Sequence, residues 1–331
     1  MGKPVHFRYP QPRYERDAEI GHWLQPNQRS FTHDKRVFVN SIGIRGAEHS
    51  RVAPPSTRRI LAIGDSQTFG NGLAMADTWP AQLEQELDRL GQGGWEVLNG
   101  GIPSTDTWQH VHVLRRLASS YSFDGVVLAF YVNDVTRPWE AGPAEERTNT
   151  WLKRTAYVFK RSALLTLIWQ TYQGLTTAGN AKEKERRILT GEPSPAVERG
   201  WDEVGRSLAE IVQLTEELDV GLILVVLPRR DQVSGPLDAT AYNERIAAIA
   251  SRLGIESIDV LPDLREAYAR DGDALFIPWD GHNASLANAV IALELVRPVA
   301  AAFAPTIIES KKTGRVGGGD SAVPPPDEST R

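Results

Sequence analysis

From residue 58 onward the chain alternates short apolar runs with amphipathic stretches, and that rhythm constrains its fold more than any other feature. Strands are predicted at 59–65, 95–99, 125–131, 221–227 and 256–260, with helices near 78–90, 106–119, 202–218, 240–252 and 284–303. Near-continuous apolar strands separated by helices imply a parallel sheet covered on both faces. Right-handed crossovers then give a doubly wound α/β sheet, for which the order 2-1-3-4-5 is expected. The first strand, Ile60-Leu61-Ala62-Ile63, runs straight into Gly64-Asp65-Ser66-Gln67-Thr68-Phe69-Gly70. This glycine-flanked turn presents the Ser66 hydroxyl at the carboxyl edge of the strand, where open α/β sheets bind ligands.

Three later segments supply what a serine would need for chemistry. Val97-Leu98-Asn99-Gly100-Gly101-Ile102-Pro103-Ser104 reads as a strand followed by a turn able to offer backbone N–H groups. The run Val126 to Phe130 leads into Tyr131-Val132-Asn133-Asp134. An asparagine at a strand end can aim its NH2 at a developing oxyanion, an interaction worth roughly 3 kcal/mol. In the expected strand order, Ser66, Ser104 and Asn133 follow three neighbouring strands and converge on one edge. Near the C-terminus stands Pro278-Trp279-Asp280-Gly281-His282-Asn283, just before an apolar helix. A serine hydroxyl is a poor nucleophile until an imidazole accepts its proton and a carboxylate fixes the tautomer of that imidazole. Asp280 can reach Nδ1 of His282 while Nε2 faces Ser66.

With these four motifs in this order, the chain resembles the SGNH (GDSL-type) hydrolase family over about residues 58 to 303. The resemblance implies a flavodoxin-like sheet and serine-dependent hydrolysis of carboxylic esters through an acyl-serine. The esters would be O-acyl or O-acetyl groups on a sugar, lipid or small molecule. It also implies Ser66 as nucleophile, His282 as general base, Asp280 as its orienting carboxylate, and Asn133 and the Ser66 backbone N–H as oxyanion donors. No metal or cofactor is required. The chain departs from the family pattern in three places. Ser104 stands where a glycine usually supplies the remaining oxyanion N–H. Tyr131 replaces the glycine two before the asparagine. Asp280 and His282 are one residue closer than the commonest spacing. An O-acyltransferase using the same residues and a non-catalytic binding domain retaining the fold are the alternatives. A nucleotide binder is disfavoured because no Gly-x-Gly-x-x-Gly or Walker-type loop follows the first strand.

Asp65 and Asp134 are read as supports that hold Ser66 and Asn133 in place, with Gly101 as a further support and Tyr131 and Trp139 lining an acyl pocket. Gly205-Arg206-Ser207 lies inside a helical pattern and is set aside as a nucleophile elbow. His110 and His112, two apart on a helix, face different ways. His6, His22, His33 and His49 are expected at the surface. A net charge of −5 argues against nucleic-acid binding. The absence of cysteine removes disulfides and thiolate chemistry. The first residues have no apolar leader, and no run approaches the roughly 18 apolar residues of a membrane span. As written the chain is expected to be cytoplasmic, although a mature exported form would read the same way. Residues 1–57 read as an N-terminal extension of short strands, packed on a catalytic domain at 58–308. Within that domain, 135–200 reads as a helical insertion, with a helix at 151–172 packed on the domain and a solvated charged face at 181–187. The tail, 309–331, reads as disordered.

Overall fold

Two β-hairpins open the fold: β1 (Tyr14–Asp17) pairs antiparallel with β2 (Gly21–Leu24), and β3 (Gln28–Thr32) with β4 (Lys35–Val39). The computed structural model describes residues 7–91, 94–136, 178–235, 237–278 and 280–303. The predicted helix 151–172, Trp139, Trp279, His6 and the tail lie outside them.

After the hairpins come five parallel strands, β5 (Thr57–Gly64), β6 (Gly94–Gly101), β7 (Gly125–Phe130), β8 (Gly221–Val226) and β9 (Glu256–Asp259). They form one sheet in the order β6-β5-β7-β8-β9. The register sets Gly64 beside Gly101, and Ile63 beside both Gly100 and Leu128. The carboxyl ends of the first three strands therefore finish level, and the segments that follow them start from one edge.

Alternation along each strand divides the interior into two cores. Leu61, Ile63, Leu98, Val126, Leu128, Leu224 and Val226 face one side. Ile60, Ala62, Val97, Val127, Ala129, Ile223 and Val225 face the other. Both sides are buried, which is why these strands read as continuous apolar runs rather than as half-polar ones. The helices are α1 (Ser66–Phe69), α2 (Trp79–Arg89), α3 (Thr107–Ser120), α4 (Asn133–Thr136), α5 (Ala178–Thr190), α6 (Pro195–Glu217), α7 (Arg230–Val233), α8 (Ala241–Arg252), α9 (Leu261–Asp271) and α10 (Ser285–Phe303). α3, α6 and α8 cover the first face. α2, α9 and α10 cover the second.

The hairpins do more than rest on this domain. Ile20, Trp23, Leu24, Val37, Val39 and Ile44 are buried in the same core as α3 and the first sheet face. α6 begins earlier than its apolar period suggests, at Pro195. Ser194 accepts from the Val197 N–H and proline occupies the first turn, a start signal written in the sequence as Ser-Pro. The charged stretch 181–187 belongs to α5, whose last turn buries Ile188 and Leu189 in the core. α9 stands where the apolar pattern predicts no helix; its Leu261, Leu264 and Ala267 are buried.

The run of apolar residues in α10 is interrupted by Asn288, Glu294 and Arg297, in keeping with the absence of a continuous apolar stretch of spanning length in the sequence. Among the described residues α10, with 19 residues and a mean hydropathy of 1.6, is nevertheless long and apolar enough to cross a membrane by length and composition. Half of its apolar window is buried, with Ile291, Leu295 and Val299 packed against the sheet and α2. It is apolar because it is a core helix.

Candidate active site

Ser66 opens α1 directly at the end of β5, half-buried. The backbone of this turn is held from several sides. Asp65 caps α1, its Oδ1 accepting from the Gln67 N–H at 2.8 Å. Asn99, on β6, donates to the Thr68 carbonyl at 2.9 Å. Arg45 reaches in from the N-terminal segment and donates to the carbonyls of Phe69, Gly70 and Leu73 at 2.6, 2.8 and 2.6 Å. Gly101 presses against α1; a Cβ there would stand 2.3 Å from the Phe69 nitrogen.

His282 and Asp280 come from the loop between α9 and α10. That loop is pinned by the Ile277 N–H donating to the His282 carbonyl at 2.8 Å and by an isolated bridge between Phe276 and Asn283. The Asn283 N–H donates to Gln67 Oε1 at 3.2 Å, tying the loop to the serine helix. His282 Nδ1 lies 2.6 Å from Asp280 Oδ1. Its Nε2 lies 2.9 Å from Ser66 Oγ. Burial disfavours the Asp280 carboxylate, but hydrogen bonding and charge from His282 and His33 outweigh burial and hold its carboxyl well below the usual range. Asp280 can then only accept, so His282 Nδ1 carries the proton. On the neutral ring, Nε2 offers its lone pair to the Ser66 hydroxyl. Burial also works against a charged His282, yet the Asp280 hydrogen bond and charge prevail and raise its pKa above the ordinary imidazole value.

Asn133 begins α4 at the end of β7, and its Nδ2 donates to Asp65 Oδ2 at 2.7 Å. Asp65 thus joins the serine turn to the asparagine. Asp134 Oδ2 accepts from the Tyr131 N–H at 2.7 Å, closing the turn that carries Asn133. Ser104 follows β6 with its side chain exposed and a φ of +70°, the left-handed region a glycine would favour. The Pro103 carbonyl just before it accepts from His22 Nε2 at 2.8 Å. Tyr131 is half-buried. Burial pushes its hydroxyl up to about 12, with the Arg229 charge pulling the other way.

Sequence reasoning missed two residues here. His33, expected at the surface, is buried, with Nε2 3.0 Å from Asp280 Oδ2. A buried histidine on a hairpin turn has no sequence signature. Arg45 belongs to Asn40-Ser41-Ile42-Gly43-Ile44-Arg45-Gly46, whose glycines hint at a fixed turn but not at its target. Its burial lowers the guanidinium pKa to about 10, against the opposing pull of Asp77, so it stays charged at neutral pH.

A hydroxyl, an imidazole and a carboxylate in one hydrogen-bonded line, at the carboxyl edge of a doubly wound sheet, is the layout of the serine-hydrolase class of α/β proteins. The model of the GDSL-like lipase/acylhydrolase family matches residues 62–282, and the chain belongs to that family. It is a hydrolase acting on ester bonds. No curated protein matches the sequence significantly. Among solved structures, TesA is 17% identical, with 73% of this chain and 98% of that one covered and a TM-score of 0.45. The acetyl xylan esterase AlAXEase is 14% identical, with 73% and 99% covered and a TM-score of 0.45. The esterase EstA from Pseudoalteromonas sp. is 15% identical, with 73% and 96% covered and a TM-score of 0.43.

Proposed function

We propose that the chain cleaves carboxylic esters through an acyl-serine formed on Ser66. His282 Nε2 takes the Ser66 proton as Oγ attacks the ester carbonyl, and Asp280 stabilises the resulting imidazolium. The Ser66 N–H, the Ser104 N–H and Asn133 Nδ2 receive the oxyanion. His282 then hands its proton to the departing alkoxide. Water, deprotonated by the same imidazole, releases the acid and restores Ser66. The observation that carries this reading is the unbroken line from Asp280 through His282 to Ser66, at 2.6 and 2.9 Å.

Small-molecule or glycan esters are the substrate class, with Tyr131 at the acyl side of the cleft. Ser66→Ala should lower turnover of p-nitrophenyl acetate by more than about 10³-fold while leaving the fold intact. Labelling of Ser66 by a fluorophosphonate, lost in the same variant, is the second expected result. Undiminished hydrolysis by pure Ser66→Ala protein would end the reading.

A further inference from the structure

His33 belongs to the turn between β3 and β4, more than two hundred residues from Asp280 in sequence, yet the two side chains meet. Asp280 Oδ1 faces His282 Nδ1 at 2.6 Å and Asp280 Oδ2 faces His33 Nε2 at 3.0 Å, so each oxygen of one carboxylate meets an imidazole. We propose that His33 is a positioning residue of the ester-cleaving site, its Nε2–H fixing the Asp280 carboxylate from the side opposite His282. This role rests on the reading of Ser66 and His282 given above.

The turn is built to hold that ring where it is. His33 has a φ of +52°, a backbone region that costs a side-chain-bearing residue energy. Such a conformation persists only where its surroundings impose it. The Gly72 N–H donates to Thr32 Oγ1 at 2.8 Å, and Thr32 Oγ1 donates to Asn71 Oδ1 at 2.5 Å, so the turn is bolted to the segment following α1. The Arg8 N–H donates to the His33 carbonyl at 2.7 Å, and the Phe7 ring packs 4.9 Å from the imidazole. Gly72 leaves the room the imidazole occupies, since a Cβ there would fall 2.3 Å from His33 Nδ1. His33 as a whole is 7% exposed.

The chemical consequence follows from what one carboxylate can do. Held at Oδ1 alone, Asp280 is free to swing about its Cβ–Cγ bond and to lose its line to Nδ1. The His33 ring 3.0 Å from Oδ2 restricts that swing, and its Nε2–H, turned toward Oδ2, draws negative charge away from the oxygen facing His282. The groups facing Asp280 are His282 on its own loop and His33 on the hairpin. Those acting on His282 are Asp280 and, from the sheet edge, Asp65. Loss of the His33 donor therefore leaves more charge opposite His282 and makes that imidazole more basic.

The test compares three variants of the full chain with p-nitrophenyl acetate. His33→Asn keeps a residue that tolerates positive φ but is too short to reach Asp280, and His33→Leu keeps bulk without a donor. Both should lower kcat by about tenfold to a hundredfold, the worth of one hydrogen bond to a charged group, with KM held within about twofold. Both should also move the acid limb of the kcat/KM profile to higher pH. His33→Gln, whose amide N–H lies near the position of Nε2, should restore kcat and the limb. Two results would overturn the role: folded His33→Asn with wild-type kcat and pH profile, or equal impairment of all three variants, which is the mark of simple packing. An inactive Ser66→Ala beside a silent His33 series sinks only this role, whereas an active Ser66→Ala sinks the nucleophile itself.

Discussion

Gly281 separates Asp280 from His282 and has a φ of +81°. That left-handed step turns the chain so that side chains two apart point the same way, and it explains how the short Asp-x-His spacing still brings Oδ1 to Nδ1. Nothing lies within 4 Å of the point a Cβ would occupy at this position, so space is not what excludes a side chain; conformation is. Gly281→Ala should destabilise the fold by about 1–2 kcal/mol and lower kcat more than it raises KM, as checked by calorimetry and steady-state kinetics. Removing the Asn133 amide tests the oxyanion reading at the same scale. Asn133→Ala should lower kcat by about 10²–10³-fold, with Tm followed alongside because Asp65 Oδ2 loses its donor. His282 must be neutral to accept a proton, and its pKa lies above the ordinary value of about 6.5. Activity should therefore fall as pH drops, with the acid limb of kcat/KM centred above that value.

α1 is a helix of four residues, too short to hold its shape alone. It stands because neighbouring elements take its carbonyls: Asn99 from β6 and Arg45 from the segment after β4. The fork of Arg45 spans three carbonyls and lies 4.9 Å over the Phe69 ring, a task a point-charge ammonium cannot repeat. Arg45→Ala should cost about 3 kcal/mol, because three buried acceptors lose their donor. Arg45→Lys should recover only part of that loss. Thermal unfolding measures both, and matching losses in kcat would show that the serine turn loosens with its brace. Such a brace is hard to see in sequence, since nothing local says which distant carbonyls an arginine will meet.

Across the whole molecule, the N-terminal hairpins are part of the catalytic body. With Ile44 from the segment after β4, they bury Ile20, Trp23, Leu24, Val37 and Val39 in the core shared with the sheet, support the Ser104 turn through His22, and bring His33 to Asp280. Deleting residues 7–47 should expose that face and yield aggregated protein, as size-exclusion chromatography would show. The Asp280–His282 pair also ties stability to pH. The folded pKa of Asp280 is depressed, so its contribution is present above about 3.9 and is lost on acidification. The folded pKa of His282 is raised, so its contribution is complete below about 6.5 and is lost as pH climbs through the folded value. The Tm gap between the wild type and His282→Ala should therefore be widest between these limits and narrow at alkaline pH.

The sequence alone determined the sheet and the residues at its carboxyl edge. Apolar runs of strand length, buried on both sides, have few ways to pair, and Ser66, Asn99, Asn133 and the Asp280–His282 loop each stand beside such a run or a core helix. It also holds the Ser-Pro start of α6, ahead of the apolar period, and the apolar content of α10, which only packing shows to be a core helix. What tertiary structure decided was the meeting of distant groups: Arg45 with the carbonyls of the serine turn, and His33 with the second oxygen of Asp280. Those contacts depend on where two hairpins dock. Docking is fixed by the shape of a buried surface drawn from the whole chain, and no local pattern encodes it.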